Sequence, residues 1–197
     1  MNENAPGKKV LNLGSGVMGF DNHLSKNIQA VNLDIDSSKP DLDVIADAHN
    51  LPFRNQSFDI VYSIAVLEHV RKPWIVADEI ARILCPGGYV VLELPFLNVI
   101  HDEEDYFRFT DKGIRSLFDE SNFDVILEQV GSGGGSFLSV FLYRYLGRFV
   151  PTRLFKALWQ LFAGYPLSLC KYFDVVLNND QELRFTANSF SFIGRKK

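Results

Sequence analysis

The chain has 197 residues, of which 47% are hydrophobic, so it can form one sizeable core but is short for two domains. Its net charge of −4 at pH 7 gives no overall field that favours nucleic acid, and a nucleic-acid partner is not expected. The two cysteines, Cys85 and Cys170, lie far apart and predict reduced thiols, while residues 1–9 carry no apolar signal segment; both features favour a cytoplasmic protein.

The first predicted element is a buried parallel strand over residues 10–13, which runs directly into the glycine turn 14–16. Because glycine has no Cβ, backbone N–H groups after this strand can approach the polar groups of a ligand. A second predicted strand, 30–34, ends in Asp34, whose carboxylate can accept hydrogen bonds from both hydroxyls of a ribose. Asp36 is the reserve candidate for the same role.

A third predicted strand, 43–46, leads into Asp47 and Ala48, whose side chain and backbone can meet the exocyclic amine of a base. Each aspartate could instead be a turn residue or a helix cap. Glycines 14, 16 and 19 also form a literal GxGxxG, which with an acid further on fits a nicotinamide-dinucleotide site.

Four further motifs follow in order with short spacers: NLPF at 50–53, SFDIVYS at 57–63, LEHV at 67–70 and LCPGG at 84–88. They decide whether the site binds a nicotinamide dinucleotide or another nucleotide-type cofactor. In this series the sequence resembles the class I S-adenosylmethionine-dependent methyltransferases, especially the small-molecule, methyltransferase type 11-like branch. The resemblance covers residues 8–130, and a dinucleotide dehydrogenase is not expected to carry it. It implies an α/β fold with a Rossmann-like doubly wound, mostly parallel sheet of about seven strands, an antiparallel last strand and a helical insert before it.

The resemblance also implies that S-adenosyl-L-methionine is the cofactor. The glycine turn 14–16 would hold its methionine part, Asp34 the ribose, and Asp47 with Ala48 the adenine, while the tip of the fourth strand would lie beside the sulfonium. The implied cofactor-binding set is Asn12, Gly14, Ser15, Gly16, Asp34, Ile35, Asp47, Ala48, Ser63 and Ile64.

Two departures from the family pattern stand out. Asn12 occupies a position where many relatives have aspartate, although its side chain can still accept a hydrogen bond. Only residues 37–42 join the second and third strands, so the helix usual there is predicted to be missing.

Further along the chain, a helix is predicted from Pro73 to a stop at 86–88, with one apolar face formed by Val76, Ile80, Ile83 and Leu84. A fifth strand, 89–94, then delivers the loop 95–106 over the site. Thr110 is predicted to cap a helix whose Ile114, Leu117 and Phe118 share one face. A sixth strand over 123–130 and a last, antiparallel strand over 188–195 complete the sheet.

Candidate catalytic groups follow the fourth and fifth strands, whose carboxyl ends bind ligands in open α/β sheets. His101 or His69 could act as a general base. Arg108 could hold an anionic group of the substrate, and Tyr106 could stack on the acceptor or hydrogen-bond to it. Alternatively, His69 bonds within its own helix and Arg108 pairs with one of the acidic residues at 102–105.

The region 65–69 also resembles the ubiquinone-pathway O-methyltransferases, in which an acid-x-x-Glu-His cluster is associated with a metal. Glu68 and His69 match this cluster, but Ala65 stands in place of the first acid. The two remaining ligands make an incomplete coordination set, so no required metal is predicted.

Residues 129–173 contain five cations and no carboxylate, and include an apolar helical stripe at Leu154, Leu158, Leu161 and Phe162. We expect a helical cap, 136–176, within one methyltransferase-like domain, 1–197. The cap is too interrupted to span a bilayer; it either buries its apolar face against the sheet or contacts a membrane or lipid-like acceptor through 136–173. The glycine-rich segment 131–136 before it reads as a flexible hinge or an ordinary loop.

The sequence thus predicts an S-adenosylmethionine-dependent methyltransferase that transfers a methyl group to an oxygen or nitrogen of a small-molecule acceptor. Such a displacement has an activated leaving group, so the protein mainly positions the reactants and excludes water. The alternative is a non-catalytic binding or regulatory module with the same fold, for which Asn12 and the missing metal acid leave room.

Overall fold

The computed structural model describes residues 7–16, 28–150, 159, 169–174 and 181–197. Its strands are β1 (Lys8–Leu13), β2 (Ile28–Asp34), β3 (Val44–Ile45), β4 (Phe58–Ile64), β5 (Leu84–Pro95), β6 (Phe123–Ser132) and β7 (Ser189–Lys196). They form one seven-stranded sheet in the order β3-β2-β1-β4-β5-β7-β6. Strands β1 to β5 pair in parallel, whereas β7 is antiparallel to both β5 and β6. The predicted fold class is confirmed.

The described α-helices are α1 (Pro73–Ile83), α2 (Asp111–Arg115) and α3 (Gly134–Gly147), and short 3₁₀ turns lie at 67–69, 169–173 and 181–186. Residues 35–42 between β2 and β3 contain no helix, as the short linker predicts. The Thr110 hydroxyl accepts a hydrogen bond from the Gly113 N–H, so the predicted cap of α2 is confirmed.

The helix α1 ends earlier than predicted. Val76, Ile80 and Ile83 are fully buried as expected, but Leu84 is already extended, with φ −69° and ψ 135°, and pairs with Phe58 of β4. Proline disfavours the helical conformation of the residue before it, so Pro86 keeps Cys85 out of the helix, and the pairing of Leu84 with Phe58 ends the helix one residue earlier still. The predicted stop at 86–88 therefore lies inside β5, next to an irregularity in its pairing with β4.

The described core lies mainly on one face of the parallel strands, because burial alternates along β4 and β5 and the buried residues of neighbouring strands lie side by side. Leu11, Val61 and Leu92, from β1, β4 and β5, are at most 1% exposed. At the antiparallel edge, the Phe118 ring after α2 stacks on Phe192 of β7, with ring centroids 5.6 Å apart. This packing fixes the sheet that carries the functional site.

The LPF motif is held in place by α1. Arg82 pairs with Glu79 on the same helix and donates hydrogen bonds to the carbonyl oxygens of Leu51, at 3.0 Å, and Phe53, at 2.8 Å. Glu79 in turn accepts a hydrogen bond from the Leu51 N–H. The motif therefore has a structural role, since it docks the loop before β4 onto the helix after it.

The prediction of a hinge or loop at 131–136 is wrong. Gly131 and Ser132 end β6, and α3 begins at Gly134. The glycines allow close packing, because a Cβ on Gly135 would overlap the carbonyl oxygen of Cys170.

Asp174 caps this helix from a distance in the sequence. Its carboxylate is 7% exposed and accepts hydrogen bonds from the N–H groups of Gly133, Gly135 and Ser136 and from the Ser136 hydroxyl, at 2.6 to 3.1 Å. A carboxylate also interacts favourably with the positive end of the helix dipole.

Replacing Asp174 by alanine is expected to lower the free energy of unfolding by about 2 kcal/mol, because it removes a cap and leaves buried donors unpaired. Urea denaturation would measure the change. Asp124→Ala is the matched control, since Asp124 is exposed and forms a surface ion pair with Lys197 at 3.5 Å. Surface ion pairs of this kind contribute little to stability. Equal stability of the two variants would contradict the capping role.

The described part of the predicted cap 136–176 is helical: α3 packs against the turn 169–173. The predicted apolar stripe at 154–162 and Gly19 lie outside the described residues. Within the described ranges, none of the helices combines the length and apolar character needed to cross a membrane. The assignment of a single domain with an inserted cap stays a prediction.

Candidate active site

The predicted cofactor residues meet at the carboxyl ends of β1, β2 and β4. The strand order reverses here, since β1 lies between β2 and β4, and open α/β sheets bind ligands at such a point. The glycine turn after β1 is tied to β2, because the N–H groups of Gly14 and Ser15 donate to the Leu33 carbonyl oxygen at 2.8 and 3.0 Å. The Gly16 N–H donates to the Asp34 carboxylate at 2.9 Å.

The two glycines of the turn serve different purposes. Both have left-handed backbone conformations, with φ +70° at Gly14 and +54° at Gly16. A Cβ on Gly14 would overlap Val66 in the loop after β4, whereas a Cβ on Gly16 would have no atom of the described residues within 4 Å. Gly14 therefore lets two loops pack together, and Gly16 faces open space where a ligand can approach the backbone.

The Asp34 carboxylate holds the glycine turn and can still accept further hydrogen bonds. It accepts from the Gly16 N–H and from the Asp36 N–H, the latter at 3.0 Å. Each carboxylate oxygen can accept a further hydrogen bond, so both ribose hydroxyls can still be bound. The reserve candidate Asp36 is engaged in its own turn, where hydrogen bonds from Ser38 lower the pKa of its carboxyl to about 2.

Asp47 was predicted to contact the adenine or, alternatively, to be a turn residue, and in the structure it lies in a turn. Its carboxylate accepts from the His49 N–H at 2.9 Å, which lowers its pKa, and lies 2.6 Å from the His49 Nδ1. Asp34 pairs in register with Ile45, so Asp47 follows at the same edge of the sheet. Ala48 packs against the core, and Ile35 is 68% exposed.

Two buried hydroxyls in this region lack a partner among the described residues. The Oγ atoms of Ser15 and Ser63 are both enclosed and make no hydrogen bond there. Asn12 is instead engaged, since its Nδ2 donates to the Asn32 side chain at 3.0 Å. Unpaired buried hydroxyls, an open glycine backbone and a carboxylate at the end of β2 together fit an adenosyl cofactor.

A cavity of about 320 Å³ lies beside the tip of β4. Its walls come from the turn after β4, the loop after β5, the helix α3 and the start of β7. Ala65 follows β4 with φ +53°, a left-handed conformation that is unusual for a residue other than glycine, and it lines this cavity. The cavity is the candidate site for an acceptor.

A connected polar network lines the far side of the cavity. The Ser189 hydroxyl donates to Glu93 at 2.6 Å and lies 2.8 Å from the Ser132 hydroxyl, which accepts from Asn188 at 2.8 Å. Arg144 of α3 contributes a cation to the same lining. Sequence reasoning missed these residues, although Glu93 is an acid within the otherwise apolar strand 89–94 and was a usable signal.

The two predicted catalytic histidines meet at this cavity. The Nε2 atoms of His69 and His101 are 3.1 Å apart, and the His69 Nδ1 lies 2.6 Å from the Glu104 carbonyl oxygen. The loop after β5 is brought to the turn after β4 because the N–H groups of Tyr106 and Phe107 donate to the Glu68 carbonyl oxygen. The His69 side chain thus bonds across to this loop, while its backbone N–H bonds to the Val66 carbonyl oxygen of its own turn.

Glu68 lies directly behind the histidines. Its side chain is fully buried, and burial raises the pKa of its carboxyl to about 6. Its Oε1 is 3.8 Å from the His69 Nε2. The prediction of no required metal assumed two possible ligands, and that premise is wrong, because His101 lies next to Glu68 and His69.

The side chains of Arg108 and Tyr106 bond to other protein groups around the loop after β5. Arg108 forms a bidentate ion pair with Asp105, whose pKa it lowers to about 2, and donates to the carbonyl oxygens of Asn98 and Val99. The Tyr106 hydroxyl accepts from Arg71 at 3.1 Å. Neither side chain lines the cavity, so their contact with a substrate stays a prediction.

Comparison with known proteins supports the same assignment from the sequence. Residues 11–92 match the family model described as a methyltransferase domain. An uncharacterized methyltransferase of Mycobacterium tuberculosis (strain H37Ra) is 43% identical over 56 residues, which are 28% of this chain and 22% of that protein. The chain thus aligns with less than a quarter of that relative's length.

Solved structures resemble the whole chain. The crystal structure of the cyclase SpnF has a TM-score of 0.61 at 15% identity and covers 98% of this chain and 76% of its own. A Haemonchus contortus phosphoethanolamine N-methyltransferase, in complex with phosphomonomethylethanolamine and S-adenosylhomocysteine, has a TM-score of 0.57 at 17% identity, over 97% of this chain and 49% of its own. Over residues 11–92 the chain is thus similar in sequence to the methyltransferase domain, and its sheet has the fold of solved S-adenosylmethionine-dependent methyltransferases.

Proposed function

We propose that the chain transfers a methyl group from S-adenosyl-L-methionine to an oxygen or nitrogen of a small-molecule acceptor. The observation that carries this proposal is the crevice where the open glycine turn, the Asp34 carboxylate and the tip of β4 meet, next to a separate cavity of about 320 Å³. The cofactor supplies a methyl group on a sulfonium, which is an activated leaving group. The protein then has to position the two reactants and exclude water.

The residues of the crevice bind and orient the cofactor. In this proposal the glycine turn holds the methionine part, and the enclosed Ser15 hydroxyl is a partner for one of its polar groups. Asp34 holds the ribose, while Asp47 and Ala48 hold the adenine. Ser63 and Ile64 lie where β4 ends, and Ile64 also lines the acceptor cavity, so the methyl group would face that cavity.

A general base is required only when the acceptor must lose a proton early in the reaction. His69 and His101 are the candidates, because their Nδ1 atoms lie near carbonyl or carboxylate oxygens and their Nε2 atoms remain to take the proton. His101 lines the cavity and is therefore the nearer of the two to an acceptor.

The lining of the cavity favours an acceptor with both polar and apolar parts. Ile64, Leu94 and Val140 provide apolar surface, whereas Glu93 and Arg144 provide charges of opposite sign. A small molecule of this kind fits better than nucleic acid. The segment 136–173 would roof the cavity, and contact with a membrane or a lipid-like acceptor is a further part of this proposal, since Phe141 and Tyr145 on α3 are 39% and 57% exposed.

We also propose that the protein acts in the cytoplasm. Cys85 and Cys170 are both unpaired thiols, and free thiols are typical of a reducing compartment.

The alternative is a module with this fold that does not transfer methyl groups. One observation supports this alternative: a solved structure with a similar fold is that of a cyclase, SpnF. In addition, the Asn12 amide, at a position expected to contact the cofactor, is bonded to Asn32.

A thermal-shift comparison of S-adenosylmethionine, S-adenosylhomocysteine and NAD tests the proposal. At 100 times its dissociation constant a ligand stabilises by about 2.7 kcal/mol, which is roughly 5 to 10 °C for a chain of this size. We expect this shift with both adenosyl ligands and none with NAD. Stabilisation by NAD alone would refute the cofactor assignment.

A screen with a radiolabelled methyl donor then separates the enzyme from the module. Phenols, amines, carboxylic acids and transfer RNA serve as acceptors. Incorporation into a small molecule supports the proposal, whereas binding of the cofactor without turnover on any acceptor favours the non-catalytic module.

A further inference from the structure

Three side chains that could ligate a metal converge at the edge of the acceptor cavity. Glu68 and His69 come from the turn after β4, and His101 comes from the loop after β5. One possible ligand atom of each residue lies within 4.8 Å of those of the other two. We call these three residues the Glu-His-His cluster.

The hydrogen bonds around the histidines fix which ring nitrogens are protonated. The His69 Nδ1 lies 2.6 Å from the Glu104 carbonyl oxygen, and the His101 Nδ1 lies 3.3 Å from both the Val99 carbonyl oxygen and the Asp105 carboxylate. Since these oxygens can only accept hydrogen bonds, each Nδ1 must carry a proton. In neutral imidazoles both Nε2 atoms then present lone pairs.

These two lone pairs face each other across only 3.1 Å. Two unprotonated nitrogens at this distance repel each other unless a cation lies between or beside them. Two ligands about 2.0 to 2.1 Å from a tetrahedral zinc ion are separated by roughly 3.3 Å, so the observed spacing suits joint coordination of an ion.

Glu68 supplies a second, independent indication of a cation site. Its side chain is fully buried, and neither carboxylate oxygen has a hydrogen-bond partner among the described residues. The nearby charges of Asp105 and Arg108 are engaged with each other in a bidentate pair. A buried carboxylate without donors is costly, whereas one that binds a metal ion is satisfied.

The surroundings also resemble those of bound metals in general. Histidine ligands usually donate their second N–H to a carbonyl or carboxylate, which holds the ring in place. His69 and His101 both do so, through the carbonyl oxygens of Glu104 and Val99 respectively. The histidine side chains are 25% and 30% exposed, so the cluster is open on one side.

We propose that Glu68, His69 and His101 bind a divalent transition-metal ion, with zinc as the best match, at the wall of the acceptor cavity. Two imidazoles and one carboxylate form a three-ligand set that leaves one position open for another molecule. The sequence predicted no required metal because Ala65 stands in place of an acid, but His101 supplies a third ligand from another loop.

One consequence rests on the proposed function, although the binding of the ion does not. An ion at this wall would polarise an acceptor hydroxyl in the cavity and lower its pKa. His69 and His101 would then act as ligands, and the proton of the polarised hydroxyl would pass to another base, for which the Glu93 carboxylate of the cavity wall is a candidate.

The test measures metal binding directly, without cofactor or acceptor. The intact chain is stripped with a chelator and titrated with Zn²⁺ by calorimetry, and with Co²⁺ by visible absorption, which reports on the ligands. We expect one equivalent of each ion to bind. Glu68→Gln and His101→Ala should each weaken Zn²⁺ binding at least about 100-fold, more than the loss of an outer-shell partner does.

His49→Ala is the matched control, because His49 lies outside the cluster and should leave metal binding unchanged. Circular dichroism and the thermal shift with S-adenosylhomocysteine establish that each variant is folded. Absence of Zn²⁺ binding by the intact chain would overturn the proposal and indicate that the two imidazoles share a proton. Unchanged binding by His101→Ala would overturn it as well.

The same measurements separate this inference from the proposed function. If the chain binds S-adenosylhomocysteine but no metal, the metal site is wrong and methyl transfer remains. If it binds Zn²⁺ through the cluster but no adenosyl ligand, the metal site is supported and the cofactor assignment fails.

Discussion

Replacing Gly14 by alanine is expected to lower the free energy of unfolding by about 2 to 4 kcal/mol and to abolish binding of the adenosyl cofactor. The new Cβ would overlap the Val66 side chain, and overpacking of this kind costs about 1 to 3 kcal/mol. Alanine at φ +70° adds about 1 kcal/mol of backbone strain. Relief of the overlap requires Val66 or the turn to move, and either movement displaces the wall of the cofactor crevice.

Gly16→Ala is the matched variant, since this position has a similar positive φ but no atom of the described part of the chain within 4 Å of the new Cβ. We expect it to cost only about 1 kcal/mol of stability, from the backbone alone. Its Cβ would nevertheless enter the space assigned to the cofactor and weaken binding. Urea denaturation and calorimetry with S-adenosylhomocysteine measure the two effects separately.

The two glycine variants give a clear contrast. If Gly14→Ala is as stable as Gly16→Ala, the packing of Val66 on the turn is not what requires glycine there. If Gly16→Ala binds the cofactor as tightly as the unmodified chain, the open face of the turn is not the cofactor site.

Replacing Asp34 by alanine is expected to weaken binding of S-adenosylmethionine by about 5- to 150-fold. Loss of hydrogen bonds to the ribose hydroxyls costs about 1 to 3 kcal/mol, and each 1.4 kcal/mol is a factor of ten in affinity. The variant also loses the acceptor for the Gly16 N–H, so the turn itself becomes less well held. Calorimetry with the intact chain and the variant measures the change.

Two further variants show which role of Asp34 matters. Asp34→Asn keeps an oxygen that can accept from the Gly16 N–H, but its amide nitrogen cannot accept from the Asp36 N–H or from a ribose hydroxyl, so it should lose less stability than Asp34→Ala and still lose affinity. Asp36→Ala should leave affinity unchanged, because Asp36 is engaged with Ser38. Unchanged affinity of Asp34→Ala would exclude this carboxylate from the cofactor site.

The sheet was largely predictable because its signals are local. Apolar runs that end at glycine or aspartate marked β1 and β2, and the alternating pattern near the C-terminus marked β7 to within one residue at each end. The cap of α2 at Thr110 was equally visible, since capping involves residues only three positions apart. The end of α1 was misplaced because Leu84 pairs with Phe58 of β4, a contact between distant residues, so the chain enters β5 directly after Ile83.

The segment 131–136 shows where local reasoning failed. Glycine and serine in a row are typical of flexible linkers, and nothing nearby in the sequence indicates a helix start. The segment is ordered because the Asp174 carboxylate, 38 to 41 positions away, satisfies its N–H groups.

By itself the sequence determined the strands, the glycine turn, the acid at the end of β2 and the family to which residues 11–92 are similar, because each depends on neighbouring residues or on motifs in fixed order. Only the tertiary structure decided which distant groups meet. It joined His101 to His69 across 32 positions, bound Arg108 to Asp105 and left the Glu68 carboxylate buried without a donor. The physical reason is that charge pairing, burial and metal ligation depend on distances in space, which loop packing sets and local sequence patterns do not encode.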